Sequence, residues 1–232
     1  MAKSESYGQF CPVAMAAEIV CTRWTPLILR ELVSGSTRFN DLKRGMPRIS
    51  PTLLSKRLKQ LEAAGVVRRI RSGPVDAVEY RLTRAGKDLK SVVFGLGFWG
   101  QRWVEAESSL KNLDPSLLMW DMRRNLDPSP MPQRRCVIQI EYRELAPAKR
   151  HWWLIVEAGQ TDLCRKDPGF EVDLYVSTEL KTMTSIWMGL TTLQSAVEKG
   201  EVELTGDPAI GRAMGKWLGL SPFAAEKKRA AA

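Results

Sequence analysis

The chain has 232 residues, 44% apolar and 26% charged, a mixture that suits a globular protein of one large or two small domains. Its formal net charge is +9, from 35 Lys+Arg against 26 Asp+Glu. It lacks the roughly eighteen consecutive apolar residues of a membrane-spanning helix, and its N-terminal stretch, with one lysine and Glu18 inside a short apolar patch, makes a poor signal peptide, so a cytoplasmic protein with no membrane partner is expected.

The charge is unevenly placed. Residues 1–110 carry +8, residues 111–232 carry +1, and the segment 36–71 alone holds 10 basic and 2 acidic residues. A field focused in this way favours a polyanion, nucleic acid first and an anionic membrane surface second. Four cysteines (Cys11, Cys21, Cys136, Cys164) and the single His151 lack the paired spacing of a zinc site and are too sparse for a disulfide framework. Buried small hydrophobes are the ordinary role for such thiols.

In chain order, the first elements are helical. Apolar density predicts a helix over 12–20. A second runs over 26–33, with Pro26 near its first turn and Gly35 beyond its end. "STRFNDLKRGM" gives a short helix stopped by Gly45 and Pro47. "ISPTLLSKRLKQLEAAG" has the full grammar of a capped helix: Ser50 at the N-cap, Pro51 in the first turn and Gly65 at the C-terminal cap. Leu54, Leu58 and Leu61 make one buried stripe, while Thr52, Lys56 and Lys59 fall on the opposite face. A cationic, small-residue face with a packed back suits a helix that enters the major groove, although any amphipathic surface helix shares the pattern.

The neighbours favour the groove. "VVRRIRS" and "AVEYRLT" alternate as strands do, joined by the turn "GPVD". A short helix, a capped basic helix and an arginine-loaded hairpin together describe a winged helix-turn-helix. Arg69 and Arg71 share one strand face and could reach phosphates, and Arg38, Arg48, Ser50 and Ser72 complete the expected DNA-contacting set. A long helix capped by Thr83 is then expected over 83–106. Its apolar residues Leu89, Val92, Val93, Leu96, Trp99 and Trp103 exceed what a small domain needs to cover itself, so they serve either internal packing or a dimer seam.

The run from Cys11-Pro12 through Trp24, "ILREL", "RFNDLKR", "RLKQLEAAGVV" and "VEYRLTRAGKDL" resembles the HxlR-type winged-helix regulators of bacteria over residues 10–108, departing at the hairpin tip. The resemblance implies a DNA-binding transcription factor that forms a homodimer through the N-terminal helix and the long helix, with the Ser50–Ala64 helix in the groove. In some members a cysteine at the "CP" position senses oxidants or electrophiles, which makes Cys11 a possible redox residue.

The second half reads differently. "DPSLLMWDMRRNL" is a capped helix with Arg123 and Arg124 expected at the surface, followed by a proline-rich stretch. Strands are expected at "RCVIQIEYREL", "HWWLIVEAG", "TDLCRKD" and "FEVDLYVST". Helices over 180–189, 191–199 and 208–218 follow, with "GEVELTGD" as a strand between the last two. Consecutive strands followed by helices predict an α+β layer with an antiparallel-rich sheet covered on one side. The order from "FEVDLYVSTEL" to "GRAMGKWL" is similar to the sterol-carrier-protein type 2 fold, which implies an apolar tunnel for a hydrophobic small molecule. Trp120, Trp153, Met183, Trp187 and Met188 are the candidate lining, since Met and Trp suit an adaptable pocket; an ordinary core uses the same residues.

The expected organisation is therefore α+β overall. A winged helix DNA-binding and dimerisation domain occupies 1–110, a helix and linker 111–131, a sterol-carrier-like domain 132–222 and a disordered tail 223–232. No GxGxxG, P-loop or HExxH is present and His151 stands without a nucleophile motif, so no catalysis, cofactor or metal is expected. The leading function is a dimeric DNA-binding regulator whose C-terminal domain senses an apolar small molecule. A lipid-binding carrier with a basic anchoring domain and a thiol-based regulator acting through Cys11 are the alternatives.

Overall fold

The computed structural model describes residues 6–72, 77–105 and 110–229. These form two compact units, divided between Gly97 and Phe98.

The first unit opens with α1 (Pro12–Val20), α2 (Thr25–Val33), α3 (Phe39–Arg44) and α4 (Pro51–Ala63). Ser50 caps α4 as its sequence requires, its hydroxyl accepting from the Leu53 N–H at 3.2 Å, and Gly65 follows the end with φ +71°. The antiparallel hairpin β1 (Val67–Ser72) and β2 (Ala77–Leu82) comes next, with Val67 opposite Leu82 and Arg69 opposite Tyr80. A single bridge from Arg38 to Glu79, with the Tyr80 N–H bonded to the Thr37 carbonyl at 2.8 Å, adds a third rung ahead of α3. The expected turn at Gly73–Asp76 lies outside the described residues.

The single long helix expected over 83–106 is instead two, α5 (Arg84–Asp88) and α6 (Lys90–Trp103). Thr83 does cap, but it caps the short α5, accepting from the Gly86 N–H at 3.2 Å while donating to the Gly65 carbonyl at 2.7 Å. A β-carbon at Gly86 would strike the Val66 carbonyl, so this glycine lets α5 lie directly on the strand start. The break at Leu89 falls where the Ser91 hydroxyl donates to the Asp88 carbonyl.

One apolar core joins Ile28, Leu29 and Leu32 of α2 to Leu42, Met46 and Ile49, and to the Leu54–Leu58–Leu61 stripe of α4. Within it lies a carboxylate. Glu31 is fully buried, accepting from Arg30 at 2.7 Å and from the Ser36 hydroxyl at 3.2 Å. Arg30 also donates to the Gly45 carbonyl at 2.8 Å, closing α2 onto the end of α3.

The second unit contains the C-terminal part of α6, then α7 (Pro115–Asn125), β3 (Cys136–Tyr142), α8 (Pro147–Arg150), β4 (His151–Glu157), β5 (Gln160–Cys164), β6 (Leu174–Thr178), α9 (Leu180–Trp187), α10 (Leu193–Glu198), β7 (Val202–Gly206), α11 (Pro208–Arg212) and α12 (Met214–Trp217). The sheet order is β5-β4-β3-β6-β7, antiparallel except for the parallel β3–β6 pair. Alternation puts Ile138, Ile140 and Tyr142 of β3 and Trp152, Leu154 and Val156 of β4 on the face that packs against the helices. Tyr142 is sealed there, its hydroxyl donating to Met119 Sδ at 3.1 Å, and burial pushes its phenol well above the ordinary range.

Three departures from the sequence reading have local causes. Helix α7, expected beside a linker, contributes Leu118, Met119 and Met122 to the core. Its arginines are tied down: Arg123 lies 4.8 Å over the Trp120 ring and donates to the Thr161 carbonyl, and Arg124 pairs with Asp121. The last helix breaks at Ala213, where the Ile210 carbonyl receives the Trp217 indole N–H at 2.9 Å. The tail expected to be disordered is placed as far as Arg229, with Phe223 edge-on to Phe98 and Glu226 paired to Arg102 at 2.6 Å.

A β-carbon added at Gly45 would overlap the Glu31 carboxylate, which its partners hold in place. Gly45→Ala is therefore expected to lose about 1–3 kcal/mol of stability, as overpacked sites do, read as a lowered urea midpoint for the first unit.

Candidate nucleic-acid interface

Helix α4 presents two chemically distinct faces. Leu54, Leu58 and Leu61 are buried, whereas Thr52, Lys56 and Lys59 stand in solvent on the other side. Ser55, Gln60 and Ala63, which the sequence reading did not single out, line one open depression with them. Their signal was the same helical spacing, hidden because none carries charge.

The basic residues of this segment divide by what they touch. Lys43 donates to the Pro47 carbonyl at 2.7 Å, Arg44 pairs with Asp41 at 3.2 Å, and Arg57 holds the Arg23 carbonyl and Gln60. These three serve the fold. Among the described residues, Arg38, Lys56, Lys59 and Arg69 are exposed and make no ion pair. Arg48, Ser50 and Arg71 are exposed as well, whereas the side chain of Ser72 lies outside the described residues. In the hairpin, Arg69 and Arg71 share a strand face by alternation, two residues apart beyond buried Val67. Helix, turn, cationic helix and arginine-bearing hairpin thus all fall within the first unit. None of its described helices, nor any elsewhere among the described residues, is long and apolar enough to cross a membrane.

Cys11 occupies the residue before α1, partly exposed. The Ala14 and then the Val13 backbone N–H groups lower its thiol below the ordinary value, the effect a helix N-terminus has on a thiolate. Cys21 is exposed, Cys136 is buried and Cys164 is partly buried.

The five residues expected to line one apolar pocket are not brought together. Met183 sits in the core on the helix-covered face of the sheet, with Trp187 packed against it. Trp153 alternates with Trp152 and so points to the opposite face, beside His151 at 6.1 Å between ring centroids. Trp120 is buried on α7 under Arg123, and Met188 gives its carbonyl to the Gln101 side chain at 2.9 Å.

The fold is that of a winged helix-turn-helix, the architecture of transcriptional regulators, with exposed cations on α4 and on the hairpin. Residues 19–108 match the HxlR-like helix-turn-helix family. The uncharacterized HTH-type transcriptional regulator YvaP of Bacillus subtilis is 38% identical over 101 residues, 42% of this chain and 93% of that protein. The uncharacterized HTH-type regulator Rv3095 of Mycobacterium tuberculosis is 44% identical over 95 residues, 40% of this chain and 58% of that protein. Among solved structures, the reduced form of the redox regulator HypR matches at 32% identity with a TM-score of 0.37, covering 39% of this chain and 91% of that one. The chain belongs to the HxlR-like helix-turn-helix family.

The double variant Lys56→Ala/Lys59→Ala is expected to bind a random duplex at least tenfold more weakly. Its log K against log salt slope should fall by about one for each phosphate that is no longer neutralised. Fluorescence anisotropy across a salt series reads both, and an unchanged slope would remove these lysines from the interface.

Proposed function

We propose that this regulator works as a two-fold dimer that lays α4 of each copy in the major groove, with Arg69 and Arg71 of each hairpin reaching the flanking backbone. The observation that carries the reading is the division of α4 into a buried leucine face and an open Thr52–Lys56–Lys59 face. Arg38, Arg48, Ser50 and Ser72 extend the contact set on either side. Two such helices related by a two-fold axis suit half-sites about 34 Å apart.

The dimer reading is supported by α6. Val92, Leu96, Trp99 and Trp103 are 48%, 56%, 60% and 39% exposed, at the four-three-four spacing of a helix seam. Helix α1 exposes Val13, Met15 and Ile19 in the same unit as the start of α6. Apolar groups of this size left in water favour a second copy.

The second unit is read as an α+β sensor of a hydrophobic small molecule, in the manner of a sterol-carrier fold. Its five-stranded sheet with helices on one face supports this, as does the Trp187 indole N–H, buried without a hydrogen-bond partner among the described residues. An apolar molecule carrying one acceptor would satisfy that donor.

A second reading, regulation through the Cys11 thiol, is favoured by the backbone N–H groups that stabilise its thiolate. The two readings are compatible, because Cys11 stands at the N-cap of α1, which carries part of the exposed apolar surface.

Leu96→Glu is expected to convert a dimer to a monomer in sedimentation velocity and to weaken duplex binding at least tenfold; a dimer with wild-type DNA affinity would place the seam elsewhere. For the thiol, a lowered pKa leaves more thiolate at neutral pH. Cys11 should therefore react with iodoacetamide faster in the folded chain than in the same chain unfolded in urea, the difference vanishing as the pH rises above the ordinary thiol range.

A further inference from the structure

Four basic residues of the first unit take no part in the interface described above. Arg68, Arg81, Lys87 and Lys90 come from the hairpin, from α5 and from the start of α6, and all line one concavity of about 430 Å³. Among its described lining residues none is acidic. The hairpin register sets Arg68 directly opposite Arg81, so the two side chains leave the same face of the hairpin. Val67, Tyr80 and Leu82 take the other face and pack on the core.

This arrangement is costly without a counterion, because like charges directly opposite one another on paired strands destabilise the pair. Glu79 relieves Arg81, accepting from its Nε at 3.0 Å and from its Nη2 at 2.8 Å. Lys90 stands 5.5 Å over the Phe94 ring, a contact that leaves its charge in place. Among the described residues, neither Arg68 nor Lys87 makes an ion pair or a side-chain hydrogen bond. Three positive charges therefore share the concavity with no carboxylate of their own. Their potentials add within a recess, so an anion placed there gains from several cations at once.

Charge and donor geometry select the anion. A carboxylate brings one charge and two oxygens, which the Arg68 fork alone would occupy. A phosphodiester of duplex DNA also brings a single charge. A terminal phosphate group brings about 1.5 to 2 negative charges at neutral pH and three strong acceptor oxygens. It can meet an arginine as a fork and lysines as point charges at the same time. We propose that this concavity binds a terminal phosphate group, free or carried by a small metabolite, held by Arg68, Lys87 and Lys90. The bound group removes the repulsion at the base of the hairpin and joins β1 to α5 and to the first turn of α6. It lies behind Arg69, which shares β1 with Arg68 and points to the opposite face. The site is separate from α4, from Cys11 and from the sheet of the second unit, and its failure would leave the DNA-binding reading untouched.

The test uses the full chain at fixed ionic strength and three probes: inorganic phosphate, methyl phosphate, and dimethyl phosphate, a diester with a single charge. Titration calorimetry reads the affinities and a thermal scan reads the midpoint. Inorganic or methyl phosphate should saturate at millimolar concentration or below and raise the midpoint, with dimethyl phosphate at least tenfold weaker. Tighter binding of methyl phosphate than of inorganic phosphate would assign a phosphorylated metabolite, and equal or weaker binding free phosphate. Arg68→Gln/Lys87→Gln should weaken both at least tenfold, while its midpoint without phosphate stays level or rises because the repulsion is gone. Lys56→Ala/Lys59→Ala should leave phosphate binding unaffected. Dimethyl phosphate bound as tightly as the other two, no saturable binding of any probe, or phosphate binding unmoved by Arg68→Gln/Lys87→Gln would each overturn the proposal. A double variant that keeps phosphate binding but loses duplex affinity would assign the two cations to DNA phosphates instead.

Discussion

The placement of α4 depends on a carboxylate in the core. A buried charge is costly unless it is met by donors, and Glu31 is met by Arg30 and by the Ser36 hydroxyl. Arg30 in turn holds the Gly45 carbonyl, so one pair of neighbouring residues ties α2, the turn after it and the end of α3. Met46 and Ile49, buried directly beyond Gly45, then lead the chain into the Ser50 cap. The orientation of α4 is therefore set from behind by a polar lock and by leucines, neither of which touches the outer face. That separation lets Thr52, Lys56 and Lys59 face outward without structural duty.

The net charge of the segment overstates its reach. Of its ten basic residues, Lys43, Arg44 and Arg57 are held by carbonyls or side chains of the fold itself. Arg68 belongs to a different surface from Arg69, since adjacent strand residues point to opposite faces. A cationic run in sequence thus resolves into three groups: structural arginines and lysines, an outward-facing set on α4 and the hairpin, and a group around a separate recess. Only the spatial arrangement distinguishes them, because all three have the same composition.

What could be read in the chain follows from the range of the interactions involved. Helix α4 was fully legible, because the Ser50 cap, Pro51, the leucine spacing and Gly65 all act within a few residues of one another. The hairpin strands were legible for the same reason, through period-two alternation. Glu31 was not, because its partner Ser36 and the Gly45 it encloses matter only once α2 and α3 meet. The split at Leu89 escaped because the apolar pattern continues across it, while the break is marked only by a serine hydroxyl on a carbonyl. In the second unit "HWW" read as part of a strand, with Trp153 alone among the candidate pocket residues. Strand alternation sends Trp152 into the core and Trp153 to the other face, and residue type carries no information about that choice.

Helix α6 explains why its own sequence is too apolar for one packing partner. Val93 is buried in the core of the first unit. Toward its C-terminus, Phe98 meets Phe223, Gln101 donates to the Met188 carbonyl, and Arg102 is doubly bonded to Glu226, which holds that carboxyl below its ordinary range. At about 100° per residue Val92, Leu96, Trp99 and Trp103 fall along one line of the helix. Val92, Leu96 and Trp99 stand in water along this line, and Trp103 continues it under Arg229, 6.0 Å from its ring centroid. The excess of apolar residues visible in the sequence thus divides between side chains that pack within their own unit and a stripe that is exposed.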